Sequence, residues 1–192
     1  IPLRNAVQDR QSDLMLTTGT TPLLRAAKAA DLPAMRALLD AGAQVNLANE
    51  LGYTPLLAAA GAGRGNSPTR NGLKTEDMAI DAVKMLVAAG ADMNARGADN
   101  ETALMGAAYR GWTQLAEVLV GMGADLDAAD KDGMTAVDYA MGRYRPRFLE
   151  SKAVPYPQTA EALRRLGATR EMKDPPEWPG LGVPQITADV PK

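Results

Sequence analysis

Cysteine and histidine are both absent from the 192 residues, and phenylalanine occurs once. Without cysteine there is no disulfide, no thiolate nucleophile and no thiolate zinc site. Without histidine the commonest general base and metal ligand are gone. No serine-, lysine- or carboxylate-based nucleophile and base set is visible either, so no catalytic residue, metal ligand or cofactor is assigned. Aromatics make up 4% of a chain that is 46% hydrophobic. Ala, Leu, Val and Met must therefore fill the core, which favours short helices in close contact. Basic residues do not predominate: 21 Lys and Arg against 23 Asp and Glu give a net charge of −2, which argues against nucleic acid as a partner. No run approaches the roughly 18 apolar residues of a membrane span, so direct membrane insertion is not expected. The first residue is Ile1 rather than Met, which reads as a processed or truncated start.

What the chain does contain is one phrase in four versions: TTPLLRAAKAADL from Thr20, YTPLLAAAGAG from Tyr53, ETALMGAAYRG from Glu101 and MTAVDYAMGRY from Met134. Their threonines, Thr21, Thr54, Thr102 and Thr135, are 33, 48 and 33 residues apart. The distances on to Gly42, Gly90, Gly123 and Gly167 are 21, 36, 21 and 32, so the second unit carries 15 extra residues and the fourth 11. With these set aside a single period of 33 remains, and a period in this range indicates a solenoid. Each Thr, followed by Pro22 or Pro55 in the first two units, reads as a capped helix start. A second helix follows with apolar residues at i, i+3 and i+4, such as Met35, Leu38 and Leu39, and ends at the glycine. Gly19, Gly52, Asn100 and Gly133, two residues before each Thr, accept positive φ.

The TPL, AA, AGAD-N and G-TP elements resemble the ankyrin repeat over some 150 of the 192 residues. The resemblance implies an all-α, ankyrin-repeat α-solenoid: stacked antiparallel helix pairs with hairpin-like loops, insertions in repeats 2 and 4, and an extended Pro-rich C-terminal tail. The implied organisation is a linker or upstream-repeat remnant at 1–19 and a repeat domain at 20–168. Its units are 20–52, 53–100, 101–133 and 134–168, and the tail follows at 169–192. The family's usual histidine three places after the Thr is replaced by Leu24, Leu57, Met105 and Asp138. The ETALMGAAYRG unit after a long insertion is similar to a bacterial ankyrin-repeat subgroup whose members commonly look exported. That resemblance favours a periplasmic or secreted location over a cytoplasmic one.

Function in a solenoid is expected where the pattern varies. The repeat register places Tyr53, Glu101, Tyr109, Arg110, Trp112, Met134, Arg143 and Tyr144 on the variable surface of hairpin tips and first-helix ends. With Trp178 in the tail, they are the candidate partner-binding residues, because Tyr, Trp and Arg anchor interfaces. Trp112 and Tyr109 also read as packing residues. The insertion at 61–77 holds Arg64, Arg70 and Lys74, a candidate anion-binding loop, although its glycines lack the preceding strand and following Lys-Ser/Thr of a phosphate loop. A calcium reading of Asp125, Asp127, Asp130 and Asp132 fails: Asp130 stands where the loop needs Gly, and Ala136 where it needs Glu. The expected function is a non-enzymatic protein–protein interaction module, a scaffold or accessory subunit of a hetero-complex. The alternatives are the regulatory or targeting portion of a larger polypeptide, and anion or small-ligand binding at the insertion.

Overall fold

The computed structural model describes residues 17–63, 74–144 and 154–172. Their regular structure is helical throughout: α1 (Pro22–Ala29), α2 (Leu32–Asp40), α3 (Pro55–Ala59), α4 (Glu76–Ala88), α5 (Ala103–Tyr109), α6 (Thr113–Gly121), α7 (Ala136–Ala140) and α8 (Pro157–Arg165). A 3-10 turn at Ala98–Asn100 precedes α5. Consecutive helices pair, α1 with α2, α3 with α4, α5 with α6 and α7 with α8. The first helices form one row, α1–α3–α5–α7, and the second helices another, α2–α4–α6–α8. Helices of five to thirteen residues are marginal alone in water, so stacking supplies the stability that local propensity does not.

The helix starts follow from hydroxyl chemistry. Thr21, Thr54 and Thr102 each accept a hydrogen bond from the backbone N–H three residues on, at Leu24, Leu57 and Met105, over 3.1–3.3 Å. Asp31 and Thr75 do the same for α2 and α4. Thr135 departs from the set: Asp138 accepts from both its backbone N–H and its hydroxyl at 2.9 Å. The outer helix α6 has no cap of its own, and Glu76 of α4 accepts from Leu115 N–H at 2.9 Å instead. A carboxylate in the first turn of α4 thus satisfies the positive end of the neighbouring unit's helix.

Alanine and glycine allow the inner row to close tightly. Residues 53–63 and 101–108 are buried without interruption. A Cβ on Gly106 would lie 2.4 Å from the Ala62 nitrogen, so the two backbones are near contact there.

The loops are tied by a ladder of Asx side chains. Asn46 donates to Gly90 O and accepts from Asp92 N–H; Asn94 donates to Gly123 O and accepts from Asp125 N–H. Asp127 takes the third rung, accepting from the backbone N–H groups of Thr169 and Arg170 and from the Thr169 hydroxyl. These three residues keep the 48 and 33 spacing of the threonines. The hydroxyl of Thr169 and the N–H of Arg170 hold the Asp127 carboxyl below the usual carboxylate range.

This ladder corrects the expected start of the tail. Residues 169–172 do not leave the solenoid but repeat the docking of Asp92 and Asp125 onto the preceding loop. Glu171 falls at the register position of Asn94 and Asp127, yet binds Arg164 through two nitrogens at 2.8 and 3.0 Å and Arg143 at 2.7 Å. Those arginines keep its carboxyl below the usual range, Arg164 foremost. Arg64, Arg70 and Trp178, residues 145–153 of the fourth unit and the tail beyond 172 lie outside the described residues.

Candidate functional site

The side chains singled out from the sequence divide into two groups. Tyr53, Glu101, Met134 and Tyr144 were expected on the variable surface; instead they are interior, exposed by 0, 1, 0 and 5%, and cannot touch a partner directly. The Tyr53 hydroxyl donates to Glu101 at 2.7 Å, and Gly63 N–H donates to the same oxygen at 3.2 Å. Tyr139 has one hydroxyl proton, and the 2.9 Å distance to Asp130 makes that its acceptor over the 3.5 Å contact to Glu101. The result is two buried polar pairs, Tyr53 with Glu101 and Tyr139 with Asp130, whose nearest approach is the 3.5 Å between the Tyr139 hydroxyl and Glu101. Room for the first comes from Gly97, where a Cβ would stand 2.7 Å from the Tyr53 ring. Met134 is fixed by two bonds to Asp130, one through the backbone carbonyl and one through the carboxylate. Tyr144 packs edge-on to Tyr109 at 4.9 Å and stacks on Tyr139 at 5.6 Å.

Arg143 is held as firmly. It donates to Glu171 and to Met172 O, with Asp138 at 3.5 Å, and its side chain is 20% exposed. It fastens residues 171–172 to the buried Asp138 and does not face outward as a free anchor. The Asp125–Asp132 carboxylates likewise serve the loops: Asp125 accepts from Asp127 N–H, and Asp130 from Asp132 and Met134 N–H. No group of three or more potential metal-binding side chains occurs among the described residues.

Tyr109, Arg110 and Trp112 are half-buried at the far ends of the inner helices. Arg110 Nε donates to Gly61 O at 3.2 Å, and its guanidinium lies 5.2 Å from the centre of the Trp112 ring. Lys74 was expected in an anion-binding loop. Its ammonium instead donates to Ala58 O and Ala59 O at 2.9 and 2.7 Å, closing the end of α3, and sits 5.6 Å from the same indole. Burial, then repulsion from Arg110 and Lys28, pushes its pKa down to about 7. Lys28 is pushed to about 8 by burial and by Arg110. Lys28 joins this group because α1, α3 and α5 pack in one row, which sequence spacing alone does not show.

The repeat geometry has a counterpart in known families. The family model described as ankyrin repeats (3 copies) matches residues 74–146, and that described as ankyrin repeats (many copies) matches residues 23–67. The chain belongs to the ankyrin-repeat family. The first match spans α4 to α7 and the second α1 to α3, and ankyrin repeats are in general protein–protein interaction modules. A comparison with curated proteins finds no match.

In this ankyrin-repeat protein the middle of the inner row is closed to solvent, since the buried stretches 53–63 and 101–108 include every residue of α3 and all of α5 except Tyr109. Exposed apolar side chains on the loops include Leu47 and Leu51, 47 and 37% exposed. No helix among the described residues is long and apolar enough to cross a membrane.

Proposed function

We propose that this ankyrin-repeat chain is a non-catalytic binding module that holds another protein as a scaffold or accessory subunit of a larger complex. The observation that carries this reading is the Asx ladder of Asn46, Asn94 and Asp127. It fixes each loop to the next unit before any partner arrives. A surface ordered in advance loses little conformational entropy on association, and its variable side chains act as preset contacts. The absence of histidine and cysteine supports a binding role over a catalytic one. Tyr109, Arg110 and Trp112, half-buried at the ends of the inner helices, supply Tyr, Arg and Trp, the usual anchor types.

The test is purification of the chain from its native source, with mass spectrometry of whatever stays attached. A partner retained in fixed proportion is expected. Trp112→Leu keeps apolar volume beneath Arg110 but removes the ring, and it should lower retention while the helical circular dichroism is unchanged. Full retention by this variant rejects the Trp112 edge, and the lack of any stoichiometric partner rejects the binding role.

A further inference from the structure

One helix of the outer row departs from the repeat. Helices α2, α4 and α6 each end two residues before a glycine, at Gly42, Gly90 and Gly123, yet α4 has 13 residues and the other two have 9. The difference of four is one additional turn, and it lies at the start of α4, on the side of the second-unit insertion. That turn carries Glu76 and Asp77. Glu76 reaches across to Leu115 N–H of α6 at 2.9 Å, which pins the two helices at a fixed spacing. Between them runs a groove. Buried Ile80 and half-buried Val118 form its floor, Asp77, Asp81 and Lys84 one wall, and Gln114 and Glu117 the other. All five polar lining residues are exposed, so the groove is open to solvent.

We infer that the groove between α4 and α6 is a docking site for a basic helical segment of a protein partner, with cations one turn apart and an aliphatic side chain between them. The inference rests on the protein-binding role proposed above and names the chemistry of the partner. Three carboxylates against one ammonium leave the groove with an excess of two negative charges. Among the described residues Asp77, Asp81 and Glu117 make no side-chain hydrogen bond or ion pair, and Lys84 pairs with none of them. Helix polarity accounts for Asp77, in the first turn of α4. It does not reach Asp81 or Glu117, which stand past the first turns of their helices. Asp77 and Asp81 are four residues apart on one helix, so they are surface neighbours with Cβ atoms about 5–6 Å apart. Cations one turn apart on an incoming helix match that interval, and its aliphatic side chain removes Ile80 and Val118 from water. Glu76 already holds the walls in place, so little ordering is required on binding. A free metal ion uses the charge alone; a basic aliphatic helix uses the charge and the floor.

The experiment titrates the full chain into a fluorescein-labelled, alanine-based helical peptide that carries one leucine flanked by lysines one turn apart. The controls are the same peptide with glutamate for lysine, a permuted peptide with its lysines on opposite sides of the helix, and magnesium chloride as competitor at constant ionic strength. Expected is a saturable rise in anisotropy with the lysine peptide alone, weakened by salt. Asp81→Asn combined with Glu117→Gln should raise Kd about tenfold, the equivalent of two partly exposed charge pairs. Both positions are exposed, so the helical circular dichroism should be that of the parent. The site is overturned if the lysine peptide gives no saturable rise, if the glutamate or permuted peptide binds equally well, if magnesium displaces the lysine peptide, or if the double variant binds as the parent does. A native partner retained in full by the double variant also overturns the groove while leaving the binding role intact. Absence of any partner from the parent chain counts against the role itself, and the peptide titration still decides the groove.

Discussion

Replacing Gly106 by alanine sets two effects of opposite sign against each other. Gly106 lies inside α5, and alanine in a helix interior is favoured over glycine by about 1 kcal/mol. Propensity alone therefore predicts a more stable protein. The new Cβ, however, would stand 2.4 Å from Ala62 N, 2.8 Å from Ala62 Cα and 2.9 Å from Gly61 C. These are backbone atoms, and they would have to retreat by about 1 Å to reach ordinary contact. Retreat is resisted on several sides: Ala62 N–H donates to Leu57 O, Gly61 O accepts from Arg110, and Gly63 N–H is held by Glu101. Overpacking costs typically about 1–3 kcal/mol, and a clash with anchored backbone belongs at the upper end. The net expectation is a loss of about 2 kcal/mol, or about 4–8 °C in Tm for a chain of this length. Gly121→Ala is the control, because Gly121 ends α6 and its Cβ would meet nothing within 4 Å. That variant should match or exceed the parent. Thermal and urea melts followed by circular dichroism read both. If Gly106→Ala melts at or above the parent, the close approach of α5 to residues 61–62 is wrong.

Three further outcomes follow from the same structure. Glu101→Ala strands the Tyr53 hydroxyl and Gly63 N–H in the interior and should cost about 2–4 kcal/mol; a urea midpoint within error of the parent would contradict the buried network. Lys74 and Lys28 have folded pKa values lowered to about 7 and about 8 from the usual 10.5. Between those values and 10.5 the unfolded chain binds more protons, so the contribution of these amines to stability is smallest below pH 7 and rises with pH. Lys74→Met should flatten the rise in Tm between pH 7 and 9 relative to the parent, and an equal slope refutes the assignment. Asn94→Ala removes two bonds between adjacent loops and should cost about 1–2 kcal/mol, with faster hydrogen exchange at Asp125 N–H as the local readout.

The periodic features of the fold were legible because they repeat the same local chemistry. A Thr that caps and a Gly at positive φ, such as Gly90 at 89°, act through their immediate neighbours, so sequence spacing alone places them. The candidate site was less legible because burial is settled by contacts between units. Tyr53 and Glu101 sit at register positions that face outward in a generic repeat. They turn inward here because Gly97 leaves space for the ring and Gly63, entering the insertion, supplies a donor. Lys74 reads from sequence as a loop cation; only the fold brings the unsatisfied carbonyls of Ala58 and Ala59 within its reach. The tail boundary failed for a related reason. Thr169 and Arg170 have no Asx signature of their own, and their place is fixed by Asp127, 42 and 43 residues earlier.

The near-contact of Gly106 with Ala62 divides the molecule into a part that must be inherited intact and a part that is free to drift. Where two main chains almost touch, no side chain larger than hydrogen fits, so that seam admits almost no alternative sequence. The outer helices and loop tips carry no such restriction. A lineage built on this frame can exchange what it grips by rewriting its periphery, while the spine that spaces those grips stays the same.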